Sequence, residues 1–225
     1  MTMGKRAGGT LIGTLAMTAA VVALSAGPAL ASTTLTVKIS GGGTFTATSS
    51  LTKLAVKIGA VPVTVTCKTK GKTPASSASG NIPNGTHKGV APVKIGTTSK
   101  LAFHNCIGPL GKVTTTVLKE PYITAIDSKT NSKGQTDGII SGVKTLVKQT
   151  GCIFTVTGST PGFYTNKTHT LTLTPKLPVK PLAKAQLTIS NVQGSCGGLA
   201  SALKGLHPTF TSVFTLSKKG TITSK

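Results

Sequence analysis

The sequence predicts an all-β protein, and three of its properties support this. Threonine and other β-branched residues are abundant and occur in short runs separated by Gly, Pro, Asn and Ser. Glutamate, a good helix former, is present only as Glu120. Apolar and polar residues alternate in segments such as LTVKI and VPVTVTC, as in strands with one buried face. We therefore expect an antiparallel sandwich or barrel-like fold of about twelve strands.

Residues 1–31 are predicted to form an export signal peptide. Lys5 and Arg6 precede an apolar run over 11–24, and Ala29-Leu30-Ala31 forms a small-x-small cleavage site. The run is shorter than the ~18 apolar residues that a membrane-spanning helix needs. We therefore expect a secreted, extracellular chain with no membrane span, either free or associated with the cell surface.

The first segments after the signal read as strands. Segments 35–39 and 45–47 alternate on either side of three glycines, which predicts a hairpin. Segments 54–58 and 61–67 then follow as two further strands. In the second of these, Cys67 lies on the same face as the valines, as a buried half-cystine would.

Residues 68–92 are rich in Ser, Gly, Pro and Lys, and this composition predicts a long exposed loop. A short irregular strand near 78–82 is the alternative. Asn84-Gly85-Thr86 and Asn166-Lys167-Thr168 fit the glycosylation pattern. Tight-turn chemistry is the better interpretation of Asn84-Gly85.

The middle of the chain returns to regular alternation. Strands are predicted near 101–106, 113–117 and 122–127. Asp127 and Asp137 stand at the ends of a polar loop, where we expect them to cap turns. Residues 138–152 fit both a helical and a strand period, but Gly142 and the β-branched residues favour a strand.

The last third of the chain repeats the same alternation. It begins with a strand at 152–158, a loop at 159–168 containing GFYTN, and a strand at 171–175. A proline-bearing crossover at 176–184 and a strand at 185–190 follow. One or two helical turns are then predicted around Leu199, Leu203 and Leu206, before a final strand at 208–217.

Four cysteines divide the chain into two similar parts. Cys67 and Cys106 are 39 positions apart, and Cys152 and Cys196 are 44 apart. Each segment leaves a strand, crosses a loop and returns through an alternating strand to a cysteine followed by a glycine-bearing turn, which indicates a divergent internal duplication. The duplication favours the pairs Cys67–Cys106 and Cys152–Cys196 over the two other connectivities. It also predicts two similar disulfide-stapled halves, 32–119 and 120–225.

The charge is strongly positive and comes from lysine. Twenty-five basic and three acidic residues give +22, and loss of Lys5 and Arg6 with the signal would leave +20. Such a field attracts polyanions and is screened by salt. Arg6 is the only arginine, so the mature chain has no guanidinium for bidentate contacts. The lysines are scattered along the sequence, which is also what solvated outer strand faces and protected sheet edges require.

No residue pattern indicates an enzyme, a metal site or a cofactor. Three carboxylates are too few and too dispersed for a pair of catalytic acids or a calcium site. The histidines have no close metal-ligand spacing, and Ser195 lies in GSCGG instead of G-x-S-x-G, beside a half-cystine. We therefore expect a non-enzymatic protein.

The sharpest candidate binding residues are aromatic. Most of the phenylalanines fit core positions in alternating strands, whereas Phe163 and Tyr164 lie in the predicted GFYTN loop. Exposed there, they would form a contact patch for a carbohydrate or a protein partner. Folded back, they would cover the core.

Several motifs carry a family resemblance over nearly all of the mature chain. FHNCIGPLG, GCIFTVTG, YTNKTHTLTL and GSCGGL, together with the export signal, resemble small secreted four-cysteine β-rich proteins of unknown function from actinobacteria. The resemblance implies export, disulfides and β architecture, and it implies no catalytic residues.

Three functional hypotheses follow from the sequence. The leading one is a secreted, non-enzymatic cationic structural or cell-surface protein that loosely binds anionic wall polymers through its lysines, without specific nucleic-acid recognition. The second is a secreted hydrolase or inhibitor that uses the Phe163-Tyr164 loop. The third is a membrane-active or nucleic-acid-binding cationic protein, which would need its lysines on one side.

Overall fold

The all-β class is confirmed by the structure, a computed structural model that describes residues 34–125, 130–176 and 185–224. The predicted signal at 1–31, Asp127 and most of the crossover at 176–184 lie outside these residues. The first eight strands are β1 (Thr34–Ser40), β2 (Gly43–Ser49), β3 (Leu51–Ile58), β4 (Val61–Lys68), β5 (Ser76–Ile82), β6 (Gly85–Val90), β7 (Val93–Phe103) and β8 (Cys106–Gly108). The remaining strands are β9 (Gly111–Lys119), β10 (Tyr122–Ala125), β11 (Gln135–Gln149), β12 (Cys152–Thr165), β13 (Thr170–Leu173), β14 (Leu187–Gly194), β15 (Thr209–Leu216) and β16 (Thr221–Ser224).

Thirteen of these strands pair into one large antiparallel sheet that closes on itself. Its first closed part, the first strand ring, runs in the order β15, β2, β5, β7, β10, β11, β12, β13 and back to β15. Only the leading half of β11 and the trailing half of β12 belong to it, since Gln135 pairs with Thr165 and Ile140 with Thr160. Eight strands therefore enclose one interior.

The second strand ring uses the other halves of the same long strands. It runs from β15 through β3, β4, β8, β9, β11, β12 and β14. Backbone hydrogen bonds from Ile189 to Leu206 (2.9 Å) and from Gly205 to Ile189 (2.8 Å) join β14 to the segment that leads into β15. Segments 32–119 and 120–225 thus each contribute strands to both rings, and residues 32–225 form one compact unit.

The hairpin predicted from 35–39 and 45–47 is wrong. Strand β1 pairs with β6 and β16 in a separate three-stranded sheet, whereas β2 joins the large sheet. Leu35, Val37 and Ile39 are at most 3% exposed and pack on the apolar interior of the first strand ring. Covering that interior buries more apolar surface than a free hairpin would, which explains why β1 leaves its sequence neighbour.

The exposed loop predicted over 68–92 is also wrong. Two strands, β5 and β6, lie within it, and β5 includes the short strand near 78–82 that was the alternative. β5 pairs with β2 in unbroken register and with β7 across a bulge between Ser77 and Ser79.

Ser and Gly are poor strand formers, but Gly80 is required for β5 to lie between its neighbours. A Cβ added at Gly80 would touch the carbonyl oxygen of Thr97 and lie 2.7 Å from the Phe45 side chain. Tertiary packing overrides local propensity in this segment.

Two uncertain elements are settled. The strand assignment of 138–152 is confirmed by β11, and the helical turns near Leu199 are confirmed by a 3-10 turn at Cys196–Gly198 and a short helix, α1, at Ala200–Leu203. Asp137, predicted at the end of a polar loop, lies near the start of β11 and is 1% exposed.

The apolar residues form two core clusters, one for each strand ring. Both predicted disulfides, Cys67–Cys106 and Cys152–Cys196, are present, and both lie in the second cluster. The first bridge joins directly opposed residues of β4 and β8, and the second ties β12 to the turn after β14. The first cluster therefore depends on apolar packing and on the sheet that covers it.

Candidate functional site

The lysines of β9 and β11 share the outer face of the second strand ring. Alternation turns Val113 and Val147 into the core, where they are 4% and 3% exposed. The intervening positions point outward, and three of them are the exposed lysines Lys112, Lys144 and Lys148. The bulge between the Val117 and Lys119 pairs turns a fourth exposed lysine, Lys119, to the same face.

The pairing register sets the geometry of this lysine face. Lys119 and Lys144 are directly opposite each other across β9 and β11, which places their Cβ atoms about 5 Å apart. Lys148 is four residues further along β11, about 13 Å away on the same face. It is opposite Thr114, so Lys112 is its diagonal neighbour at about 7 Å. Opposed like charges on a sheet are destabilising, so this face gains from a bound anion.

The nearest carboxylate in sequence is already engaged by backbone. Glu120 follows Lys119 directly, and its two oxygens accept the N–H of Leu101 at 3.2 and 3.3 Å. Asp137 is 1% exposed. These two carboxylates are far fewer than the exposed lysines, so most of the positive charge of the lysine face is left for solvent or a partner to balance.

Other lysines lie on other outer faces. Lys38 of β1 and Lys88 of β6 are diagonal neighbours on the small sheet, since Lys38 is opposite Thr86 and Lys88 is opposite Thr36. Lys53 and Lys57 share the outer face of β3. Exposed lysines thus lie on several outer strand faces. In the described strands, Lys119 and Lys144 are the two lysines that stand directly opposite each other.

Phe163 and Tyr164 do not occupy a loop tip. Both lie within β12, where Phe163 is opposite Asp137 and Thr172, and Tyr164 is opposite Thr136 and Leu171. Phe163 is half-buried, and Tyr164 is 6% exposed in the first core cluster. Adjacent strand residues face opposite sides, so the two cannot form one contact patch.

The Tyr164 hydroxyl has a structural partner. It donates to the carbonyl oxygen of Gly220 at 2.7 Å and lies 3.2 Å from Nδ1 of His169. Burial raises its pKa to about 12 by penalising the phenolate form. This side chain attaches the segment before β16 to the first strand ring.

The other three histidines contact one or two polar groups each. His87 contacts the carbonyl oxygen of Pro83, and His104 contacts the hydroxyl of Ser77. His207 contacts the carbonyl oxygen of Leu187 and the hydroxyl of Thr188, and all these contacts are within 3.3 Å. Within 34–125, 130–176 and 185–224, no three His, Cys, Asp or Glu residues are grouped to hold a metal ion. In the same ranges, no helix is long and apolar enough to cross a membrane.

Sequence reasoning missed the lysine face. The alternation of β9 and β11 indicates which lysines point outward, but only the register with its bulge places Lys119 opposite Lys144. No family model, curated protein or solved structure matches this chain.

Proposed function

We propose that this is a secreted, non-enzymatic cationic protein that associates with the cell surface by binding anionic wall polymers. The observation that carries the proposal is the direct opposition of Lys119 and Lys144 on an exposed face that Lys112 and Lys148 extend. An extended polyanion along β11 would relieve the repulsion at the pair and contact Lys148 about 13 Å further on.

The binding is loose and has little sequence or stereochemical selectivity. An ammonium group is a strongly hydrated point charge on a flexible stem, and it lacks the planar fork with which arginine recognises phosphate. Attraction of this kind depends on ionic strength, because the Debye length falls from about 10 Å at 0.1 M salt to about 3 Å at 1 M.

The arrangement favours wall polymers over the other candidate partners. A one-sided basic surface would suit a flat membrane or a duplex groove, whereas lysines on β1, β3, β6, β9 and β11 face several directions. A polymer mesh that surrounds the protein can use all of them. The hydrolase or inhibitor hypothesis depended on a Phe163-Tyr164 loop, and these residues form part of β12.

Retention on isolated cell walls under increasing NaCl tests the proposal. We expect the mature protein to be retained at low salt and released well below 1 M, where screening is nearly complete. A variant with Lys119→Thr, Lys144→Thr and Lys148→Thr should be released at lower salt, because threonine suits an outer strand face and carries no charge.

The matched control removes the same number of charges elsewhere, with Lys38→Thr, Lys53→Thr and Lys88→Thr. We expect it to shift release less than the first variant. Equal shifts would contradict a special role for the lysine face, and failure of the unaltered protein to bind at low salt would contradict wall association altogether.

A further inference from the structure

The interior of the joined strand rings contains a cavity of about 130 Å³. It extends across both core clusters, since its wall includes Phe45 and Ile95 of the first cluster and Val65 and Val156 of the second. Closed sheets of eight strands have an interior just wide enough for side chains or for one small ligand. This cavity is therefore a candidate binding site, separate from the lysine face.

The cavity wall is almost wholly apolar. Valine, leucine, isoleucine and phenylalanine side chains supply most of it, and the hydroxyl of Thr52 in the wall is bonded to Ser76 at 2.8 Å and Ser212 at 2.9 Å. An apolar cavity of about 150 Å³ remains free of water and binds a molecule such as benzene. By size and lining, the occupant is an uncharged, mainly hydrocarbon molecule of roughly that size.

The hydroxyl of Thr115 is a polar group in the wall that makes no hydrogen bond within the described part of the chain. Thr115 lies opposite Val147 on the inward face of β9, and both line the cavity. Its Oγ1 is also buried. A buried hydroxyl without a partner is costly, so a ligand that carries one hydrogen-bonding group would satisfy it.

A smaller cavity of about 20 Å³ lies between this interior and the surface. Five residues line both cavities, namely Phe45, Ile82, Tyr164, Leu216 and Ile222. The wall of the smaller one also includes Gly42, Gly43 and the exposed Lys218. It lies beside β16, between the turn that follows β1 and the segment that precedes β16.

We propose that the joined strand rings bind one small uncharged apolar molecule bearing a single hydroxyl or carbonyl group, which pairs with Thr115. Such a ligand fills the cavity with its hydrocarbon part and exchanges a hydrogen bond with Oγ1 of Thr115.

Calorimetric titration of the intact protein with benzene, phenol and benzoate tests the proposal. Benzene and phenol should each saturate one site, and phenol should bind about 2- to 10-fold more tightly because it can bond to Thr115. Benzoate should not bind in the interior, because a buried carboxylate without a partner is strongly disfavoured. Benzoate binding as tight as phenol would overturn the proposal by placing the ligand on the lysines.

Two variants separate binding in the cavity from binding elsewhere. Thr115→Val keeps the shape and removes the hydroxyl, so phenol should lose its advantage while benzene binding is retained. Ala47→Leu extends a side chain from the cavity wall and should abolish binding of both probes. Thr48→Leu, on the exposed face of the same strand, is the matched control and should change neither.

Three further results would overturn the inference. These are no saturable binding of benzene or phenol by the unaltered protein, unchanged binding in Ala47→Leu, or an unchanged phenol preference in Thr115→Val. If Ala47→Leu does not fold, the Thr115→Val comparison decides the matter alone, because it measures two probes on one well-folded variant.

Discussion

Asn166 is expected to hold β16 against the first strand ring, and its removal should release that strand. Among the described strands, β16 pairs with β1, over residues 221–224. At its other edge, Nδ2 of Asn166 donates to the carbonyl oxygen of Ile222, and the N–H of Ile222 donates to Oδ1, both at 2.8 Å. The N–H of Ser224 donates to the Thr130 hydroxyl at 3.1 Å on the same edge. The carboxamide of Asn166 thus takes the place of a neighbouring strand for Ile222.

The expected loss of stability in Asn166→Ala follows from the two hydrogen bonds between Asn166 and Ile222. Each contributes about 1 kcal/mol net, and the N–H of Ile222 that loses its partner is part-buried, so Asn166→Ala should cost about 2 kcal/mol of local stability. The carbonyl oxygen of Ile222 also accepts the Thr136 hydroxyl at 3.3 Å and is therefore less affected. A loss of this size corresponds to about a 30-fold change in an opening equilibrium.

Amide hydrogen exchange at Ile222 is the appropriate assay, because it reports local opening separately from global unfolding. We expect protection there to fall about 30-fold in Asn166→Ala, with a smaller loss in strands of the second ring. Lys167→Ala changes the exposed neighbouring residue and should leave protection intact. Protection at Ile222 within twofold of the unaltered protein would refute the assigned role of Asn166.

Two further predictions concern Tyr164 and the disulfides. The pKa of Tyr164 is raised from 10.0 to about 12, because the folded protein disfavours the phenolate. As pH rises from 10 to 12, the unfolded chain can ionise this tyrosine while the folded chain resists, so the free energy of unfolding should fall by on the order of 2 kcal/mol. Denaturant unfolding should show this loss relative to Tyr164→Phe, and identical pH profiles would contradict it. Removing either disulfide by paired Cys→Ala substitution should cost about 4 kcal/mol on the chain-entropy model for closed loops of 39 or 44 residues. Hydrogen exchange should then increase in β4, β8, β12 and β14 before the first core cluster, and an increase confined to the first cluster would count against this.

Some local elements were predictable because one face of the strand is plainly apolar. β4 alternates valine with threonine up to Cys67, and β15 places Phe214 and Leu216 on one face, so period and direction both follow from the residues. β5 was not predictable as regular structure, because SSASGNI has neither alternation nor strong β formers. Its pairing arises from two neighbouring strands that need a partner.

The candidate sites were less accessible to sequence reasoning than the fold class. Tyr164 reads as a loop aromatic because Gly162 and Asn166 flank it, yet Gly162 is a position where an added Cβ would lie 2.5 Å from the Thr172 carbonyl oxygen. That glycine permits close strand approach and does not mark a turn. Thr115 is one of many threonines, and nothing in its local sequence separates it from its outward-facing neighbours.

The sequence by itself determined the all-β class, the positions of many strands, the paired half-cystines and the positive charge, because these depend on local alternation, spacing and composition. Tertiary structure alone decided that β1 leaves β2, that Lys119 opposes Lys144, and that two strand rings share β11 and β12 around one cavity. The physical reason is that alternation specifies which residues of a strand share a face. It does not specify which strand lies alongside, and register between distant strands is set by the burial that the whole closed sheet achieves.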